Sequence, residues 1–440
     1  MRKHWIDNLR WVTVLLVLLY HVFYFYNNKG VVGGIGGFGE YPACPQYQDI
    51  IMYILYPWFM PLLFILAGIS SRYALQKQSA REWFRSRTRK LLVPGTIGLF
   101  VFHWMVGYFN TIVAEREGVF DGIPAVAKYI IMAVSGTGPL WFIQVLWLLC
   151  LVLLLLRAID PKDRLWSACG KLFGGIRESR VAGYAQRETG INDGETGTRA
   201  NNAVDDAQCE NSGETLQDGV AAAGETSPDS SKAGKARDRK GIVRTIAIVL
   251  LGILFWLGEQ TLIREPRPQS PDGLYNLYKP LFYLVPFLLG YYVFSHEAVQ
   301  QKVARAWVPL LAGAVVAGAA LIITSFGQDN TSPAYLQSPL NCLYGWLACL
   351  GMMGWFAARF DATSRFAGYM TSSSYGIYIV HYLVIASLGY MMKTYTQLPP
   401  AAMYLILAAA VFTLSPLLYE ILRRIPFVRW CVFGQKAPRQ

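Results

Sequence analysis

Apolar residues in this chain gather into ten stretches of membrane-spanning length, separated by short polar segments and by one long one. They lie near residues 11–28, 50–71, 91–113, 138–157, 243–263, 276–295, 306–325, 338–358, 368–392 and 401–422. About 20 apolar residues in a helix rise about 30 Å, the thickness of a bilayer's hydrocarbon core. The pattern predicts an all-α polytopic membrane bundle of about ten helices. From 161 to 241 the apolar pattern gives way to Gly, Ala, Ser, Thr, Asp, Glu and Arg, as in the run from Asp193 to Arg199. Such a composition buries too little apolar surface to order itself. The chain therefore reads as four helices over 1–160, a disordered cytoplasmic linker over 161–241 and six helices over 242–440.

Charge orients the bundle. Arg72, Lys77, Arg81, Arg85, Arg87, Arg89 and Lys90 crowd between the second and third stretches, whereas the flanking segments hold Lys29 on one side and Arg116 and Lys128 on the other. Lys302 and Arg305, then Arg359 and Arg365, then Arg423, Arg424, Arg429, Lys436 and Arg439 continue the alternation. Basic loops stay cytoplasmic, so both termini are expected there. Arg264 and Arg267 fall on the outer side, which makes the fifth stretch the least regular.

Composition agrees with a multi-pass protein of the cell membrane: 440 residues, 54% hydrophobic, 15% charged, mean hydropathy +0.30. The first stretch follows a basic start, but no small-residue cleavage site comes promptly, so it is read as retained. Tyr41 to Cys44 lies too far downstream for a lipoprotein signal. Of seven scattered cysteines only Cys44 and Cys342 are expected on the outer side, and no disulfide framework follows. The net charge of +12 does not announce nucleic acid, because Lys and Arg follow the topology without a stacking platform of aromatics. No Walker loop, Gly-x-Ser-x-Gly or His-Glu-x-x-His occurs, and no metal site is expected; the Gly-rich run at 33–39 follows a membrane stretch and is no dinucleotide fingerprint.

Chemistry concentrates on the first helix. Arg10 and His21 are eleven residues apart, and eleven steps of about 100° come within about 20° of whole turns, so both face one way with His21 roughly 16 Å deeper. Asp7, Arg10, Val14, Val17, His21 and Tyr24 form one stripe. An imidazole among polar groups near mid-membrane is suited to deprotonating a hydroxyl. Arg85, Arg87, Arg89 and Lys90 precede a helix start at Leu91 to Pro94, where cations and a helix N-terminus together suit a phosphate-bearing ligand. For most of these charges orientation alone is as good an account. Trp141, Gln144, Glu259, Tyr378 and His381 put further polar groups into later stretches, where each must face the bundle interior. Taken singly, hydrogen bonding between helices explains each of them better than a ligand does.

Asp7-Asn8-Leu9-Arg10 with His21, Leu63-Phe64-Ile65-Leu66-Ala67-Gly68, the Arg-rich run ending at Leu91-Leu92-Val93-Pro94, Leu140-Trp141-Phe142 and Ser374-Tyr375-Gly376-Ile377-Tyr378-Ile379-Val380-His381 occur in this order. Together they resemble the acyltransferase 3 family of integral membrane O-acyltransferases, most of all its glucan-modifying, succinyltransferase-like branch. The resemblance covers nearly everything but the linker. It implies transfer of an acetyl, succinyl or similar group from cytoplasmic acyl-CoA, a donor substrate and not a resident cofactor, to a hydroxyl of an extracytoplasmic carbohydrate. It also implies that His21 is the essential catalytic group and that Arg10 matches the family's arginine; on the helical spacing Asp7 is expected to hold Arg10, which would steer the donor. The family's Arg-x-x-Arg stands here as Arg87-x-x-Lys90, which keeps the charge and loses bidentate geometry at Lys90. Its Phe-Phe-x-x-Ser-Gly stands as Leu63-Phe64-x-x-Ala67-Gly68, without the serine hydroxyl. Donor phosphates are expected at Arg85, Arg87, Arg89 and Lys90, the acceptor near Tyr378, His381, Trp141, Gln144 and Glu259.

Two other classes compete. Intramembrane His, Glu and Arg also mark proton-coupled secondary transporters, though inverted repeats are missing. A membrane scaffold would make the linker the functional part.

Overall fold

A computed structural model describes residues 3–27, 47–113, 122–175, 241–264 and 279–435, and among these the chain is helical, without a strand. Nine of the described helices are long and apolar enough to cross a membrane. They are α1 (His4–Phe25), α2 (Tyr47–Leu75), α3 (Ala80–Ile112), α5 (Gly138–Ile159), α7 (Gly241–Leu262), α10 (Trp307–Ser325), α12 (Pro339–Arg359), α13 (Arg365–Tyr395) and α14 (Pro400–Leu422). The stretch expected at 276–295 is the shorter apolar helix α8 (Pro280–Phe294). Its start is set by Pro280 at the first helical position and by Lys279, whose φ of 49° lies in the left-handed region. A second short apolar helix, α4 (Ala125–Ser135), was not among the ten stretches. Cys44, the Gly-rich run at 33–39 and the linker over 176–240 lie outside the described residues.

α1, α2, α12 and α13 form the centre, and α14 flanks α13. The start of α1 is tied to the turn before α13: the Trp5 amide donates to Asp361 Oδ1 at 2.9 Å, and Asn8 Nδ2 donates to the Phe360 and Ala362 carbonyls at 2.8 Å each. Ser364 caps α13, its side chain accepting from the Ala367 amide at 3.1 Å. Where α2 crosses α8 at Gly68 and Gly290, the two backbones meet with no side chain between them. A Cβ on Gly68 would stand 2.1 Å from the Phe287 carbonyl oxygen, and one on Gly290 would stand 2.2 Å from that of Ile65. Small residues let membrane helices touch backbone to backbone in this way.

Among the described residues four π turns, at Thr88–Leu92, Leu99–His103, Gly170–Gly174 and Gly290–Phe294, interrupt the α-helical hydrogen bonding. Each inserts one extra residue and turns the following face. Two of them lie in α3, the helix that carries the basic run.

Disorder expected from residue 161 onward does not begin there. The Asp160 carboxylate accepts the Arg164 and Leu165 amides at 3.0 and 2.9 Å and starts helix α6 (Arg164–Cys169). Asp163 pairs with Arg72 at 2.8 Å, and the Trp166 ring stacks on His296 with centroids 4.1 Å apart. These tertiary contacts order the chain through Gly175 despite its polar composition.

Candidate functional site

On α1 the spacing of the polar stripe has the expected result at its lower end. Arg10 Nη1 lies 3.1 Å from Asp7 Oδ1, one turn away. Its other terminal nitrogen donates to Ser70 Oγ at 2.5 Å. Ser70 is one turn beyond Ala67, so a serine of α2 reaches Arg10 from three residues past the position where the family motif carries its hydroxyl.

At the upper end of the stripe His21 meets a second histidine. His381 Nε2 is 3.0 Å from His21 Nδ1, and His381 Nδ1 faces the Tyr378 carbonyl oxygen on its own helix. Tyr20 and Tyr382 stand edge-on to the His21 ring at 5.5 and 5.2 Å. His381 is fully buried, while His21 keeps part of its surface open. The residue assigned by sequence to the acceptor region is therefore bonded directly to the residue assigned as the base.

One face of α13 ties this pair to the basic run. Tyr375 donates its hydroxyl to the Lys90 carbonyl, Tyr378 donates to the Pro139 carbonyl, and His381 meets His21. The three contacts follow at intervals of three residues, so Lys90 and the histidine pair are about 9 Å apart along the helix axis. Arg87 lies over the Trp83 ring at 5.6 Å and Arg89 Nε donates to the Gly434 carbonyl at 3.3 Å, while Arg85 is exposed on the last turn of Ala80–Arg87. Among the described residues none of Arg85, Arg87, Arg89 and Lys90 has a carboxylate within 4.0 Å.

Other predicted acceptor residues are placed differently. Gln144 Nε2 donates to the Gly95 carbonyl at 2.7 Å, a bond between α5 and α3. Tyr378 is buried with its hydroxyl committed, and the Trp141 ring packs on Tyr283 at 5.5 Å. Glu259 is buried with one oxygen accepting from Cys342 Sγ. These side chains join helices, as buried polar groups in a membrane bundle commonly do.

A cluster of aromatic and polar side chains that the sequence reading passed over surrounds Tyr20, the neighbour of His21. Tyr20 stacks on Tyr24 and Tyr56 at 5.3 and 5.6 Å. Lys279, buried and in its left-handed conformation, donates to the Tyr56 hydroxyl at 3.1 Å and sits in the field of Glu259 and Asp329 without touching either. Asn330 approaches the Tyr20 hydroxyl without closing a bond of acceptable geometry, and both groups are buried without a partner. Buried polar atoms normally find partners. The signal available in sequence was Lys279 itself, a cation inside the first turn of the stretch at 276–295, on the side that should be poor in them.

A family model described as an acyltransferase domain matches residues 3–175 and 233–420, the two described halves and little of the segment between. No curated protein and no solved structure matches the chain.

Proposed function

Since the chain belongs to the acyltransferase 3 family and is a membrane acyltransferase, we propose that it moves an acyl group from cytoplasmic acyl-CoA to a carbohydrate hydroxyl on the outer face of the cell membrane. One observation carries this reading: a partly open histidine, His21, is linked through α13 to cations with no carboxylate partner among the described residues and adjoins a cluster of aromatic rings and unpartnered polar groups. The cations suit the phosphates of coenzyme A, which are fixed and multiply charged. Stacked tyrosines with Lys279 and Asn330 suit a sugar, whose ring offers an apolar face and a rim of hydroxyls. His21 lies where the two would meet.

In the proposed reaction the acceptor hydroxyl gives its proton to His21 as its oxygen attacks the thioester carbonyl. The new C–O bond forms, the C–S bond breaks, and the departing thiolate takes the proton back from His21 to leave as the free thiol. Arg10, held by Asp7 and Ser70, steers the donor below. The glucan-modifying branch, with acetyl or succinyl as the group moved, is the finer form of the same proposal. The transporter and scaffold readings give way to the family assignment.

Labelled acetyl-CoA and succinyl-CoA, supplied to membranes with cell-envelope glycans, test the proposal. Label should reach glycan with the intact protein and fall by about 10²–10⁴-fold with His21→Ala, at equal membrane insertion. Transfer at the intact rate by His21→Ala would sink the assignment.

A further inference from the structure

We infer that His381 is a positioning residue that keeps the hydrogen of His21 on Nδ1 and so leaves His21 Nε2 as the bare, proton-accepting nitrogen. The inference rests on the reading of His21 as base, but it is derived from hydrogen-bond chemistry alone.

A peptide carbonyl only accepts hydrogen bonds, so the Tyr378 oxygen facing His381 Nδ1 requires a hydrogen on that nitrogen. A neutral imidazole has one N–H, and His381 Nε2 therefore presents a lone pair. His21 Nδ1 lies 3.0 Å from that lone pair, and the contact is a hydrogen bond only with His21 as the donor. The Val17 carbonyl, one turn back on α1, is a second acceptor that calls for a ring hydrogen on His21; with that hydrogen on Nδ1, neutral His21 has spent its only one and keeps Nε2 bare. A doubly protonated His381 would reverse the direction. It would also bury an uncompensated cation, since His381 is fully buried and no carboxylate among the described residues contacts either ring.

Packing holds the rings in this register. The Tyr378 ring stacks on His381 at 5.6 Å and 27°, and Tyr382 stands edge-on to both imidazoles, at 5.8 Å from His381 and 5.2 Å from His21. The buried partner orients and the partly open one reacts. Second-group hydrogen bonds that select a tautomer are a general device for setting which nitrogen of a histidine works. Here the orienting group is neutral. It adds no negative charge to retain the proton that His21 must return to the thiolate.

Nitrogen-15 spectra of the full-length protein in lipid bilayers, labelled at its 5 histidines, test the pair. Signals are assigned with His21→Asn and His381→Leu. His21 should show a protonated Nδ1 and an unprotonated Nε2, the reverse of the form favoured by free histidine in water. In His381→Leu the hydrogen should move to Nε2, and kcat should fall by about 10²–10⁴-fold with the KM for acyl-CoA unchanged. His381→Gln, whose amide oxygen can accept the same N–H, should keep the Nδ1 hydrogen and stay within about tenfold of the intact kcat. A protonated Nε2 on His21 in the intact protein overturns the inference, as does a tautomer that ignores His381→Leu. The spectra need no substrate. An intact protein with the expected tautomer and no acyl transfer overturns the proposed reaction and leaves the pair standing.

Discussion

Gly68 and Gly290 bring the backbones of α2 and α8 into contact, and a single methyl is enough to test it. Gly68→Ala puts a Cβ against backbone atoms that have no rotamer to change. Overpacking of this kind costs about 1–3 kcal/mol, and the melting temperature in detergent should fall accordingly. Gly368→Ala, with nothing within 4 Å of the added carbon, should leave it unchanged or raise it. The same contrast shows what one sequence discloses at this scale. The Asp7 to Arg10 contact and the shared face of Arg10 and His21 follow from helical period alone. Ser70 beside Arg10 and His381 beside His21 depend on which helices become neighbours, 60 and 360 residues away in the chain. Local pattern carries no such information. Lys279 escaped notice for a different reason: its conformation and burial are set by Pro280 and by the rings around it.

Among elements, the ordered start of the expected linker has a measurable consequence. His296 stands at the N-cap position of α9 (Glu297–Arg305) at the basic rim, with the Trp166 ring stacked on it and Arg72 over that ring at 4.2 Å. Burial pushes its imidazole down to about 4, opposed by a bond from the ring to the Trp166 carbonyl and assisted by the nearby Arg72 charge. A base depressed in the folded state leaves stability untouched above about 6.5, where it is neutral folded or unfolded. As pH falls from about 6.5 to about 4 the unfolded chain binds a proton that the folded one refuses, and stability is lost over that window. The loss amounts to at most about 3 kcal/mol. The melting temperature should drop across this range in the intact protein, and His296→Phe, which keeps the stacking, should flatten the drop; an equal drop in both would exclude His296 as its source. Composition marked this stretch as disordered from 161 onward, and the helix over Arg164–Cys169 departs from that. It could not disclose that Arg72 and Ser295 wait on other elements to receive Asp163 and Trp166.

For the whole molecule, hydropathy and charge sufficed to announce a helical membrane bundle, because bilayer thickness permits few other ways of spacing apolar runs. The count was harder. α8 is too short to qualify by length, and α4 is apolar without being long. Both depend on neighbours for what they cover. The family match resumes at 233 after stopping at 175, so the chain between is expected to be dispensable to the enzyme. Replacing 176–232 with a short Gly/Ser linker should preserve insertion and the acyl-transfer rate to within about twofold; loss of transfer from inserted protein would return that segment to the machinery.

Four positive side chains on α3 are held near one another by a cation–π contact, a carbonyl and a turn, with no carboxylate among the described residues to balance them. They repel each other until something multiply negative arrives. Purified protein should accordingly answer to its buffer. If these cations hold the donor's phosphates as proposed, sulfate, phosphate and pyrophosphate should compete for them, and the salts that best preserve the enzyme in storage should be the ones that slow it in the assay.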